Sequence, residues 1–249
     1  MKNLKYILTK KNLIMKRIIV FLSCIIFTGI GFYGCKKGPN DPMFSIHSRK
    51  ARVVGEWKLT AGTELTIING ISENRTDDGI HQTYSDTSGT SYSDEHTVTY
   101  TMDKKGGYTG AERRVHIVVD IDTLIDWTTT TTTTTDDKYV GTWNFTDKIG
   151  EPKKKSQLTM IETEDSWKES VRTVIVDNSV VPSVVKSDST KLYTGLITYS
   201  GNPGAAELWD LDELRNKKMV VKVKGNGNSS SNTAPANTYS RDATWTFEQ

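Results

Sequence analysis

The sequence predicts an all-β protein of antiparallel strands, and three observations carry that reading. Thr makes up about one residue in seven of the 249, and its branched side chain suits a pleated strand better than a helix. From Arg49 onward, short alternating segments are separated by clusters of Gly, Asn, Asp and Ser, the pattern of strands with one buried face. With 19 Gly, 6 Pro and 2 Cys the chain is neither collagenous nor built on disulfides, and its length suits one large β domain or two ordinary ones.

The N-terminus is organised differently. Residues 18–33 are the strongly hydrophobic stretch, directly after Met15-Lys16-Arg17 and ending at Gly34-Cys35. A basic n-region, an apolar h-region and a small residue before the cut make residues 1–34 a signal peptide. A transmembrane helix needs about 20 apolar residues, and this run is shorter and interrupted by Ser23, Thr28, Gly29 and Gly31. Residues 1–14 are either a long n-region or follow an upstream start, and Met15 is the favoured initiator. Cys35 after Gly34 resembles the lipobox of bacterial lipoproteins, with Phe32 and Tyr33 departing from its usual Leu and small residue. By that resemblance Cys35 becomes the lipidated N-terminus; Cys24 would strand residues 25–33 on the mature chain. Residues 35–50 are then the lipidated Cys and a tether, Lys36-Lys37-Gly38-Pro39-Asn40-Asp41-Pro42 being polar and rich in Pro and Gly. Residues 51–249 form a single folded domain.

Cleavage reverses the charge. Six of the 32 basic residues and none of the 30 acidic ones lie in residues 1–34, which leaves 26 against 30, a net charge of −4 with neutral His. The whole-chain pI of about 8.3 therefore carries no argument for nucleic acid as a partner. Without a thiol besides Cys35, the mature chain offers no disulfide, Cys-ligated zinc or cysteine nucleophile.

Along the domain, Val98, Tyr100 and Met102 alternate with Thr97, Thr99 and Thr101, and Asp103-Lys104-Lys105-Gly106-Gly107 supplies a hairpin turn into Tyr108. In residues 113–127, Val115, Ile117, Val119, Ile121, Ile125 and Trp127 share one parity, predicted to face the core. Glu112, Arg114, His116, Asp120, Asp122 and Asp126 share the other, predicted to face water. The octathreonine at 128–135 is predicted as a loop or hairpin tip, and 225–237 as a second loop. Further strands fall at Trp143 and Phe145, at Leu158 and Met160, and over 171–176, 192–199, 219–223 and 239–247, ten or eleven in all. Leu208, Leu211 and Leu214, at helical spacing, predict one short helix within 205–218.

Three segments echo one another: Val54-Gly55-Glu56-Trp57, Val140-Gly141-Thr142-Trp143 and Ala243-Thr244-Trp245, each with Leu or Phe two residues after the Trp. They read as equivalent strands with inward Trp side chains. Gly55-Glu56-Trp57 opening the first strand, the series of hairpins, and Trp245-Thr246-Phe247 closing the chain resemble the lipocalin-like lipoproteins of Gram-negative bacterial envelopes. The resemblance covers most of 52–249. It implies an antiparallel up-and-down β-barrel in which Trp57 packs across the base as a structural residue, with Gly55, Gly141, Trp143 and Trp245 in matching roles. It also implies a basic residue covering the first-strand Trp, for which Arg241, sharing parity with Trp245, is the candidate.

Catalytic chemistry finds little support: Gly-x-Ser-x-Gly, His-Glu-x-x-His and a phosphate loop are absent from the sequence. His116 with Asp120 and Asp122 reads as a solvated face, Asp94-Glu95-His96 as an exposed strand entry, and Lys153-Lys154-Lys155 as a surface turn. No metal or cofactor is expected, nor an enzyme. The expected protein is a lipid-anchored envelope lipoprotein, on the periplasmic face of the outer membrane because lysines rather than acids follow Cys35. It binds or carries an apolar small molecule in its cup. The alternative is an accessory subunit docking on an integral outer-membrane protein, with a filled core and an exposed apolar patch.

Overall fold

Side-chain alternation turns most of the chain into strand. The computed structural model describes residues 48–146, 156–199, 206–215, 217–229 and 237–249. Residues 1–34, Cys35, the tether as far as residue 47 and Lys153-Lys154-Lys155 lie outside them. The described elements are α1 (Arg49–Val53), β1 (Gly55–Ile68), β2 (Ile71–Asp77), β3 (His81–Asp86), β4 (Ser91–Met102), β5 (Gly107–Asp122), β6 (Trp127–Thr146), β7 (Gln157–Asp177), β8 (Val184–Thr198), β9 (Ala206–Leu214), β10 (Lys218–Ser229) and β11 (Asn237–Glu248).

These strands form one antiparallel sheet in the order β6-β5-β4-β3-β2-β1-β11-β10-β9-β7-β8. Pairing of β6 with β7 closes a ring of ten strands and leaves β8 attached to β7 outside it. β1 also pairs directly with β4, Trp57 lying opposite Tyr100, so β2 and β3 are a hairpin inserted between them. A shorter circuit of eight strands therefore closes at the end where β1 begins.

That end is filled. Trp57, Trp143, Trp209, Leu158, Met219 and Phe247 are fully buried there, and burying a large apolar side chain contributes roughly 1.5–3 kcal/mol. α1 plugs it from outside: Ser48 caps the helix by accepting from the Ala51 N–H at 3.1 Å, and Val53 joins the core. Trp57 Nε1 donates to the Val53 carbonyl at 2.7 Å, and the Arg52 guanidinium donates to the Leu214 carbonyl. Ser48 and α1, at the end of the segment predicted as a tether, thus pack against this end of the ring.

The turn from β4 to β5 has the chemistry the sequence predicts: Asp103 Oδ1 accepts the N–H groups of Lys105, Gly106 and Gly107. Four other expectations are corrected. The helix predicted in 205–218 is strand β9. Leu211 pairs with Val221 and Glu213 with Val220, a β-bulge that shifts the inward phase, so Leu211 and Leu214 are both buried while Leu208 is exposed. The octathreonine is not a loop but part of β6, paired residue by residue with β5 and β7. The predicted loop over 225–237 is entered by β10 as far as Ser229, opposite Asn237 of β11.

The fourth correction concerns β5, whose predicted faces are reversed. Tyr108, Gly110 and Glu112 point into the ring, and Ile117, Val119 and Ile121 point out, all more than half exposed. β4 pairs with β5 only as far as Val115, and beyond it β5 to β8 continue as a four-stranded extension open to water on both faces.

Gly141 fixes one close approach in the closure. A Cβ there would meet the Ile161 carbonyl oxygen and the Tyr108 ring. Gly141→Ala is expected to lower stability by about 1–3 kcal/mol through overpacking, read as a fall in the urea midpoint with an unchanged slope.

Candidate functional site

Above the filled end the ring opens into a cavity of about 580 Å³. Its floor is aromatic. Trp209 stacks on Phe247 with ring centroids 5.7 Å apart, and meets Tyr100 edge-on at 5.3 Å and Trp245 at 6.0 Å. Tyr108 completes it, 6.1 Å from Tyr100.

The walls are charged, because the residues that follow the floor on the same inward parity are polar. Arg241 of β11 lies between two strands: its Nη2 donates to Glu64 of β1 at 2.9 Å and its Nη1 to Glu207 of β9 at 2.8 Å. The guanidinium also lies 4.9 Å from the centroid of the Trp245 ring, a cation–π contact. Glu207 in turn accepts the Trp209 indole N–H at 2.6 Å.

Across the cavity, His96 of β4 is held by Asp77 at the end of β2 and by Glu112 of β5. Its Nδ1 contacts Asp77 and its Nε2 lies 3.0 Å from Glu112 Oε1. Glu112 also accepts from Arg114 at 3.1 Å and from the Tyr139 hydroxyl at 3.2 Å. The side chains of His96 and Asp77 are 4% and 5% exposed. Burial opposes charge on the imidazole, but the hydrogen bonds to Asp77 and Glu112 outweigh it and push His96 from 6.5 up to about 9. Burial likewise works to raise Glu112, and His96, Arg114 and Tyr139 more than offset it, holding the carboxyl below its ordinary value. With both ring nitrogens donating, the imidazolium has no lone pair for a base or a metal ligand. Its role is to hold three strands together. A second pair, His116 Nδ1 to Asp94 Oδ1 at 2.6 Å, lies further up the same wall.

The sequence-predicted residues fall in two zones. Trp57 and Trp143 are in the filled end, with the Trp143 indole donating to the Gly107 carbonyl at 3.1 Å. Gly55, with φ of 142°, starts β1 against the Gln249 side chain. Gly141 underlies Tyr108, while Trp245 and Arg241 line the cavity. Arg241 does not cover Trp57. It pairs with Thr66, at the opposite end of β1, and lies over Trp245.

The reading of Asp94-Glu95-His96 as exposed is corrected too, since Asp94 and His96 are buried. Sequence reasoning missed this cluster, whose members come from separate strands. The available signal was parity: His96 shares it with Val98, Tyr100 and Met102, and Glu112 with Tyr108. Among the described residues, no group of three His, Cys, Asp or Glu side chains is arranged to hold a metal ion. Comparison of the chain with protein-family models, with curated proteins and with solved structures gave no match.

The His96 cluster sets a pH dependence. A folded-state pKa of about 9 against 6.5 unfolded means that the stabilisation is full below pH 6.5 and is lost as pH rises to 9. Its size is on the order of 3 kcal/mol. The melting temperature is expected to fall between pH 6.5 and 9, and His96→Gln is expected to lower it at pH 6 and flatten that slope, as read by circular dichroism.

Proposed function

We propose that this chain is a lipid-anchored envelope lipoprotein whose lipocalin-like barrel binds a small molecule with an apolar body. The observation that carries the reading is the cavity of about 580 Å³ over an aromatic floor, within the range of small-molecule sites. The closed circuit of eight strands, filled at one end and open at the other, supports reading the ring as an up-and-down barrel of lipocalin type. The charged wall refines the ligand: its body lies on Tyr100, Trp209 and Phe247, and its polar part reaches the ionised side chains above.

Placement rests on the sequence. Residues 1–34 direct export, Cys35 carries the lipid, and more than one acyl chain is needed for firm anchoring. Lys36-Lys37 after the cysteine favour retention on the periplasmic face of the outer membrane. Cys35→Ala is expected to move the protein from the membrane to the soluble fraction and to abolish labelling by a fatty-acid probe. Full retention with labelling would contradict the anchor.

A second reading, an accessory subunit docking on an integral outer-membrane protein, is favoured by one observation. Ile117, Val119 and Ile121 of β5 and Leu192 and Leu196 of β8 are exposed, and register places them on one face of the β5-β6-β7-β8 sheet. Native mass spectrometry of the protein released from its envelope separates the two. The cup reading predicts a stoichiometric small molecule, whereas an empty protein in a defined complex with an outer-membrane protein would favour docking.

A further inference from the structure

We propose that the cavity takes an organic cation, an amine or quaternary ammonium group on an apolar body, with Glu162 receiving the charge. The inference rests on the cup reading above and names its ligand class.

The basic side chains around the cavity are already engaged by carboxylates. Arg241 bridges Glu64 and Glu207, and His96 bridges Asp77 and Glu112, which also holds Arg114. Arg75 lies 3.5 Å from Glu73 and 3.8 Å from Glu64, and Lys224 pairs with Asp242 at 2.9 Å. An anionic ligand would have to share one of these cations with the carboxylates that already neutralise it, through a donor such as the Arg241 or Arg114 Nε that lacks a partner among the described residues, and would meet the like charge of those carboxylates.

Glu162 of β7 differs from the other carboxylates of the wall. It lines the cavity, and among the described residues the group that hydrogen-bonds it is the hydroxyl of Tyr199, which carries no charge. Its charged neighbours, Asp165 and Glu207, have the same sign. Burial and those neighbours hold its carboxyl above the ordinary value, the behaviour of a carboxylate with no counter-charge among the described residues.

The aromatic surface beside it is suited to a cation. Glu162 pairs across the sheet with Gly141, and the missing Cβ of Gly141 lets the Tyr108 ring lie against that strand. Tyr108 is tilted 58° from Tyr100, and Tyr100 is 85° from Trp209. All three rings line the cavity, and an aromatic face attracts a cation with about 0.5–2 kcal/mol. One carboxylate without a counter-charge among the described residues, beside these rings, favours a cation with organic substituents over a bare metal ion, which would need several oxygen ligands.

Three probes of equal chain length test this by titration calorimetry on the purified protein, below their micellar concentrations: decyltrimethylammonium, 1-decanol and decanoate. Decyltrimethylammonium is expected to bind about tenfold more tightly than 1-decanol, and decanoate most weakly. Glu162→Gln keeps the hydrogen bond to Tyr199 and removes the charge. It is expected to weaken the cation about tenfold, to leave 1-decanol unchanged, and to preserve the melting curve. Decanoate binding as tightly as the cation, or a cation affinity unaffected by Glu162→Gln, would overturn the assignment and leave the cup intact. Binding of none of the three would overturn the cup reading itself.

Discussion

A single buried imidazolium shared by carboxylates from two other strands is the interaction on which the upper half of this molecule depends. β2 and β3 are inserted between β1 and β4, and at the base β1 pairs with β4 without them. The inserted hairpin must be fastened where it joins the ring. Asp77 stands at that junction, His96 faces it from β4, and Glu112 completes the set from β5. The His96 backbone N–H adds a bond to the Ile80 carbonyl at 2.7 Å, just beyond the turn. Burying these charges is unfavourable unless each is matched, so the cluster holds its strands in one register.

The same logic divides the interior into two zones. Where the circuit has eight strands, inward side chains from opposite walls meet, and Trp57, Trp143, Trp209 and Phe247 fill the space between them. Where two more strands widen the ring, opposite walls no longer meet, and apolar side chains there would face water. The inward positions are accordingly charged and paired along the wall instead of across the space. Arg241 between Glu64 and Glu207 repeats on one side what His96 does on the other. The cavity is open because its lining is satisfied laterally, with an apolar floor below a wall of engaged ion pairs.

This division explains which parts of the fold were legible in the sequence. The alternation of Val98, Tyr100 and Met102 and the Asp103 turn are local, and both read correctly. β5 carries an equally regular alternation, yet its faces were reversed, because a polar cup interior puts Glu112 and Arg114 inside and leaves Ile117 and Val119 on the outer surface of a single-layered extension. Hydrophobicity marks the inner face only where the interior is apolar. The bulge between Leu211 and Leu214 mimicked helical spacing, since one extra residue in a strand turns a period of two into a step of three. The octathreonine lacks any alternation, and it is pairing to β5 and β7 that makes it strand. The site was less legible than the fold, its members lying on β2, β4 and β5 with no motif to join them.

The charge state of His96 is the most direct test of this account, and nitrogen-15 NMR of the imidazole reads it atom by atom. The account predicts that Nδ1 and Nε2 are both protonated at pH 7.5 and titrate together near 9. A neutral ring with one unprotonated nitrogen at that pH, titrating at or below 6.5, would contradict it: the imidazole would then carry no charge between Asp77 and Glu112, and the inserted hairpin would lack the ion pair held to fasten it.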